Sequence, residues 1–256
     1  WDADAARYQR EHGAYLAGPG DGDLVWSPEG WLESELALLG SPAELAGRRV
    51  LDLGCGAGQA ARWLARQVAC APGGWVAGVD VSGEQLRHGQ AWLRNMPTHP
   101  QVALIQADAY DLPFAQASID VIVSAFGVIA FVPDLAPVMC EAARVLTPGG
   151  QMTVSLPHPV RWMFPDDPVA TEGMTVTTSY FDRTPYVEVA ADGRVLYAEY
   201  HHTLQDLFTA CIAAGLVVRR VWEPQWRGDR GRTFGGWSAE TVDLVPKTLI
   251  VQLEHR

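Results

Sequence analysis

The sequence predicts an α/β fold: a doubly wound, mostly parallel sheet of seven strands, with a small antiparallel insertion after the fifth. Three observations carry this. Apolar strand-like runs alternate with helical patterns from Val50 to Leu156. The run Val50 to Gln59, VLDLGCGAGQ, reads as a strand, a glycine loop and the start of a helix. After Leu156 the rhythm changes to period-two stretches around Asp192-Gly193, a hairpin signal.

Each element has its own signature. Asp4 to Leu16 reads as an exposed helix, broken by Gly18-Pro19-Gly20 and Gly22. Ser27-Pro28 starts another, with Pro28 at the first helical position, continued by Trp31, Leu32, Glu35, Leu36 and Leu39. Val50, Leu51 and Leu53 suit a buried strand, and Gly54, Gly56 and Gly58 then let the backbone turn tightly against a bound molecule. Gln59 to Val68 has helical spacing, with Ala61, Leu64, Ala65 and Val68 on one side. Trp75 to Val81 is a second strand, and Ser82 with Gln85 forms a capping box for the next helix. Val102 to Gln106 and Ile119 to Ser124 are the third and fourth strands. Asp134 opens a helix through Leu146, and Pro148-Gly149-Gly150 turns into the fifth strand, Gln151 to Leu156.

The period-two stretches Thr175 to Tyr180 and Tyr186 to Tyr200 form the insertion. Thr203 caps a helix that stops at Gly215. Leu216 to Trp222 and Lys247 to Leu253 supply the last two strands. The chain thus reads as a single domain: an N-terminal helical lid (1–40), a core (48–156), a substrate-side insertion (157–202), and a C-terminal helix with two strands (203–256).

Composition narrows the function. The 256 residues are 48% hydrophobic, enough for one sizeable core. A net charge of −11 argues against a broad nucleic-acid surface, which needs basic residues. Cys55, Cys70, Cys140 and Cys211 lie far apart, so neither zinc nor a disulfide framework is indicated and a cytoplasmic setting is expected. The first residue is Trp rather than Met, which points to a trimmed chain, and no signal peptide is visible. The longest apolar run, Val121 to Val132, is too short to span a bilayer.

The glycine spacing is specific. A dinucleotide fingerprint needs its third glycine at position 59, where this chain has Gln59. The pattern is instead D-x-G-x-G-x-G, from Asp52 to Gly58. Asp80 ends the second strand, where an acid can accept both ribose hydroxyls of a nucleoside. Asp108 follows the third strand and can accept from an adenine amine. Ligands of open parallel sheets bind at this edge.

In order and spacing, VLDLGCGAGQ, VDVSGEQL, QADAYDLPF, SIDVIVSAFGVIAFVPD and EAARVLTPGGQMTVS resemble the successive motifs of class I S-adenosylmethionine (SAM) dependent methyltransferases. The likeness is greatest to the small-molecule, methyltransferase type 11-like group. It implies a Rossmann-like sheet with an antiparallel last strand, SAM as cofactor and S-adenosylhomocysteine as product. By that resemblance Gly54, Cys55, Gly56 and Gly58 would line the methionine moiety, and Asp52 would support the loop or the ligand's amino group. Asp80 would take the ribose hydroxyls, with Val81 and Gln85 near the adenine. Asp108 and the Ala109 amide would read the adenine edge, and Ser124 would lie beneath the methionine portion. Position 85 is often Met in the family, so Gln85 departs from it. The N/D-P-P-Y/F run of nucleobase and glutamine N-methyltransferases is replaced by Ser124-Ala125-Phe126-Gly127.

The expected function is methyl transfer from SAM to a small-molecule acceptor by in-line displacement. Such a displacement requires alignment, exclusion of water and, for some acceptors, a base, but no metal. A SAM-binding module without transferase activity and an RNA methyltransferase are the alternatives. Aromatic residues and histidines of the N-terminal segment, the insertion and the last loop would form the acceptor side. Tyr8, Trp26, Arg161, Trp162 and Tyr180 are its candidates. His158, between Pro157 and Pro159, is the candidate base, or else a rigid turn histidine, and His12 is the second candidate. Nothing in the sequence bears on oligomeric state.

Overall fold

The computed structural model describes residues 2, 5–10, 22–94, 102–165, 174–228, 231–233 and 236–256. One sheet dominates, built from β1 (Arg49–Leu53), β2 (Trp75–Asp80), β3 (Val102–Gln106), β4 (Ile119–Ala125), β5 (Leu146–Pro157), β8 (Leu216–Trp222) and β9 (Thr248–His255). Its order is β3-β2-β1-β4-β5-β9-β8. The first five strands are mutually parallel, while β9 runs antiparallel to both β5 and β8. The chain starts at β1 and winds outward on both sides, so a topological switch point falls between β1 and β4.

Alternate strand residues feed two cores, because successive side chains point to opposite faces. Leu51, Ala77, Ile122 and Met152 pack with α3 (Leu135–Val145) and α4 (Leu204–Ala213). Val50, Val76, Val123 and Ile250 pack with α1 (Gln59–Val68) and the segment around Trp26. In α1 the spacing of Ala61, Leu64, Ala65 and Val68 puts all four on the buried side. Asp134 caps α3 through the Ala136 amide, and Ser82 caps α2 (Gly83–Arg94) through the Gln85 amide. No helix among the described residues is long and apolar enough to cross a membrane.

Three local expectations are corrected. Ser27-Pro28 begins a turn rather than a helix, closed by the Gly30 amide on the Ser27 carbonyl, with Gly30 at φ +90°. Pro at the second and Gly at the fourth position suit such a turn as well as Pro suits a helix start. The flanks pair as a bridge between Val25 and Leu32, and only Glu33–Leu36 makes a helical turn. Strand β5 starts at Leu146 instead of Gln151, with a register shift where Pro148-Gly149 passes β4. The insertion pairs only over β6 (Tyr186–Val189) and β7 (Val195–Glu199), with Gly193 at φ +83° in their turn, and residues 174–180 form no strand.

The amino ends of β1 and β4 are joined by Arg49 and Asp120. The Arg49 guanidinium donates to both carboxylate oxygens, at 2.9 and 2.7 Å, and the Arg49 amide adds a third bond at 2.9 Å. Arg49 holds the Asp120 carboxyl below its usual range. A depressed folded-state pKa gives stability that is present above the unfolded value near pH 4 and is lost as pH falls. Replacing Asp120 by Asn should cost roughly 1.5–3 kcal/mol at pH 7, by urea denaturation, with the difference from wild type shrinking below pH ~4.

Candidate functional site

The loop after β1 is shaped by three glycines with positive φ: Gly54 (+73°), Gly56 (+52°) and Gly58 (+73°). Two reasons for glycine differ. A Cβ on Gly54 would sit 2.7 Å from the Gly127 carbonyl carbon, so here the backbone of the β4 turn fills the space. A Cβ on Gly56 would meet nothing within 4 Å, so this side of the loop is open. The Gly54 and Cys55 amides donate to the Val79 carbonyl, lashing the loop to β2. The Cys55 side chain is buried against Gly78.

Two acids fix the loop. Asp52 is buried, and its Oδ2 accepts the Ala61 amide at 2.9 Å, in the first turn of α1. This bond ties the end of β1 to the start of α1. Burial first, and then the charge of Asp80, push its pKa up to about 7, against the pull of the Ala61 amide and Arg62. Asp80, at the end of β2, accepts the Gly56 amide on Oδ2 and the Ser82 amide on Oδ1, each at 2.8 Å. Burial also raises Asp80. Each Asp80 oxygen carries a second lone pair, so the carboxylate can still accept two hydroxyls from one ligand.

The other cofactor-side candidates line the same sheet edge. Val81 is half exposed, and Gln85 accepts from Gln9 at 2.7 Å. Asp108 is exposed and accepts the Tyr110 amide on one carboxylate oxygen, and Ala109 is half-buried beside it. Ser124 lies beneath the glycine loop. It is fully buried, donates to the Leu53 carbonyl at 2.8 Å and accepts the Val128 amide, so it clamps β4 to β1 beneath the loop.

The acceptor-side candidates divide. His158 is buried, its Nδ1 accepts the Val160 amide at 3.1 Å, and its Nε2 lies 3.0 Å from Glu223. An Nδ1 that accepts leaves the proton on Nε2, which donates to Glu223. Both nitrogens are engaged, so the ring is a turn cap with no lone pair to offer, and burial lowers its pKa. This corrects its reading as a base. His12 lies outside the described residues. Trp26 is fully buried and donates to Glu33 at 2.8 Å, which makes it core rather than pocket wall. Tyr180 accepts the Leu204 amide on its hydroxyl and packs against His201, as does Trp162, so both brace the start of α4. His201 and His202 bond through Nε2 to the Tyr180 and Val132 carbonyls.

Arg161 lies in the turn after β5. Its guanidinium lies 4.6 Å over the Trp237 ring and 3.7 Å from Glu199. Glu199 accepts from the Tyr197 hydroxyl, and burial, then Glu199, raises the Tyr197 pKa, with Tyr8 adding to it. Phe126 is held at φ +50° and meets Trp237 edge-on, with centroids 5.8 Å apart. Strained non-glycine residues of this kind gather at functional sites. Sequence reading missed Phe126, Tyr197 and Glu199; only the aromatic richness of these segments pointed their way. A groove of about 480 Å³ between Asp134, Arg183, His201 and Asp206 lies on the flank and includes none of the cradle residues.

Residues 50–150 match the methyltransferase domain family. The chain is 41% identical over 110 residues to methyltransferase GfsG of Streptomyces halstedii, covering 43% of this chain and 38% of that protein. It is 37% identical over 106 residues to demethylmenaquinone methyltransferase of Listeria welshimeri, covering 41% of this chain and 43% of that one. The chain thus spans about two fifths of the length of these curated relatives. An S-adenosylmethionine dependent methyltransferase structure from Mesorhizobium loti superposes with a TM-score of 0.67 at 25% identity, over 90% of this chain and all of the other. The glycine cradle with Asp80 beside it fits S-adenosylmethionine, and residues 50–150 carry the match to the methyltransferase domain family.

Proposed function

We propose that the protein transfers the methyl group of SAM to a small-molecule acceptor held at the carboxyl ends of β4 and β5. The observation that carries this reading is Asp80. It is bonded to the glycine loop through Gly56 yet keeps a lone pair on each oxygen for a ribose diol. Gly56 and Gly58 would face the methionine portion, and Val81, Gln85, Asp108 and Ala109 the adenine. SAM supplies an activated sulfonium methyl, so the protein's work is alignment and exclusion of water.

The N-terminal segment supports a covering role. Asp2 accepts from the Ser82 hydroxyl at 2.7 Å and the Glu84 amide at 3.1 Å, Gln9 donates to Gln85, and Arg7 pairs with Glu188 of β6. In this reading residues 2 and 5–10 lie over the adenosine end and tie it to the insertion. Phe126, Trp237, Arg161, Tyr197 and Glu199 form the acceptor corner. Glu199 takes the place of His158 as the oxygen able to receive an acceptor proton. One relative is named for a small molecule, demethylmenaquinone, and a net charge of −11 favours such an acceptor over nucleic acid. We place the protein in the cytoplasm on its cysteine pattern.

The direct test incubates the protein with methyl-labelled SAM and fractionated extract. Label should pass to a small-molecule fraction and not to RNA. Asp80→Ala should weaken S-adenosylhomocysteine binding about 10- to 100-fold, from charged hydrogen bonds worth roughly 1.5–3 kcal/mol. Tight binding with transfer to nothing would leave a SAM-binding module, and label on RNA would favour the nucleic-acid reading.

Asp52 gives a pH test. Its folded pKa of about 7 lies above the unfolded value, so its stability contribution is full below pH ~4 and is lost as pH rises through 7. Asparagine keeps an acceptor for the Ala61 amide without the charge. The melting temperature of the ligand-free wild type should therefore fall relative to Asp52→Asn between pH 5 and 8. Parallel curves would contradict the buried charge.

A further inference from the structure

The Trp237 indole is held by a chain of two hydrogen bonds that ends at Glu29. The indole Nε1–H donates to Thr248 Oγ1 at 3.0 Å, and Thr248 Oγ1 bonds Glu29 Oε2 at 2.9 Å. The order is fixed by chemistry. An indole N–H only donates, so the Thr248 oxygen accepts it and the single hydroxyl hydrogen goes to Glu29. All three residues are buried, at 2% exposure for Trp237 and 0% for Thr248 and Glu29. Glu29 Oε1 has no hydrogen-bond partner among the described residues.

This chain joins three distant parts of the sequence at one end of the sheet. Glu29 lies in the turn before the first helical turn, Thr248 opens β9 opposite Pro157 of β5, and Trp237 lies in the last loop. The Trp237 ring is the surface that Phe126 meets edge-on at 5.8 Å and Arg161 covers at 4.6 Å. Phe126 follows β4 at the turn that touches Gly54, and Arg161 follows β5. The indole plane therefore sets two residues of the acceptor corner. The turn at Glu29 is itself anchored, since the Glu29 and Pro28 carbonyls accept the Arg227 and Arg232 amides.

We propose that Glu29 is a positioning residue of the acceptor pocket: through Thr248 it fixes the Trp237 indole, and so places Arg161 and Phe126 for the acceptor. This rests on the reading of that corner as the acceptor site. Burial, the largest influence, raises the Glu29 pKa, against Ser27, its own amide, Thr248 and Trp237. Glutamine matches Glu29 in shape and keeps an accepting oxygen for the Thr248 hydroxyl. Leucine has the volume but no acceptor, and it strands the Thr248 hydroxyl. Thr248→Val breaks the chain one bond further on.

The test uses the whole chain, labelled SAM and the extract fraction that takes the label. Glu29→Gln should transfer within two-fold of wild type. Glu29→Leu and Thr248→Val should each raise the half-saturating amount of that fraction at least ten-fold, with S-adenosylhomocysteine affinity unchanged within two-fold. The double variant should be no worse than the worse single one, because both cut the same chain. A Glu29→Leu protein that saturates like wild type would overturn the proposal. So would a loss of cofactor affinity in step with transfer, which marks a general structural role. Should Glu29→Leu not fold, Thr248→Val against Glu29→Gln decides alone. A wild type that binds S-adenosylhomocysteine but methylates nothing would bring down the acceptor-site reading, and this proposal with it. A change confined to the variants bears on the proposal alone.

Discussion

Backbone meets backbone where the loops after β1 and β4 touch. A Cβ on Gly127 would lie 2.4 Å from the Leu53 carbonyl oxygen, and one on Gly54 would lie 2.7 Å from the Gly127 carbonyl carbon. Ser124 fastens the same junction from below through the Leu53 carbonyl and the Val128 amide. Because β1 and β4 are neighbours at the switch point, this contact sets how far the edge of the sheet opens. The glycine loop is thus pushed toward β2, where its amides find Val79 and Asp80. Phe126 takes its strained conformation on the other side of the same contact. The glycine cradle and the proposed acceptor corner are two sides of one tight junction.

Buried acids hold the surrounding parts. Asp52 fixes α1, Asp80 fixes the glycine loop, Glu33 binds the Leu38 and Leu39 amides and the Trp26 indole, and Glu29 holds Thr248. Burial raises the pKa of all four. Each acid receives hydrogen bonds from neutral amide, indole or hydroxyl groups rather than from a cation. Such groups cost desolvation and return orientation, which a site built to align two reactants needs. The contrast with Asp120 is useful: that acid pairs with Arg49 at the far end of β1 and carries stability instead.

The parallel strands were legible because their signals are local. VLDLGCGAGQ announces strand, loop and helix within ten residues, and Asp80 falls at a strand end that its own apolar run defines. The hairpin turn at Asp192-Gly193 was legible for the same reason. Ser27-Pro28 was not, since the same residues begin a turn or a helix, and Gly30 decides between them through its positive φ. His158 was misread because its chemistry depends on the Val160 amide and on Glu223, 65 residues away. Glu29 and Thr248 are 219 positions apart, so no window on the sequence could join them. The cofactor half of the site is written in short motifs, and the acceptor half is written in tertiary contacts.

In the proposed function Asp80, tied to the glycine loop, receives the ribose of the cofactor. A crystal structure of the protein with S-adenosylhomocysteine measures this directly. Each Asp80 oxygen should lie about 2.6–3.0 Å from a ribose hydroxyl, with the Gly56 amide still bonded to the same carboxylate. A cofactor seated away from the β1–β2 edge, or an Asp80 turned from the ribose, would contradict it.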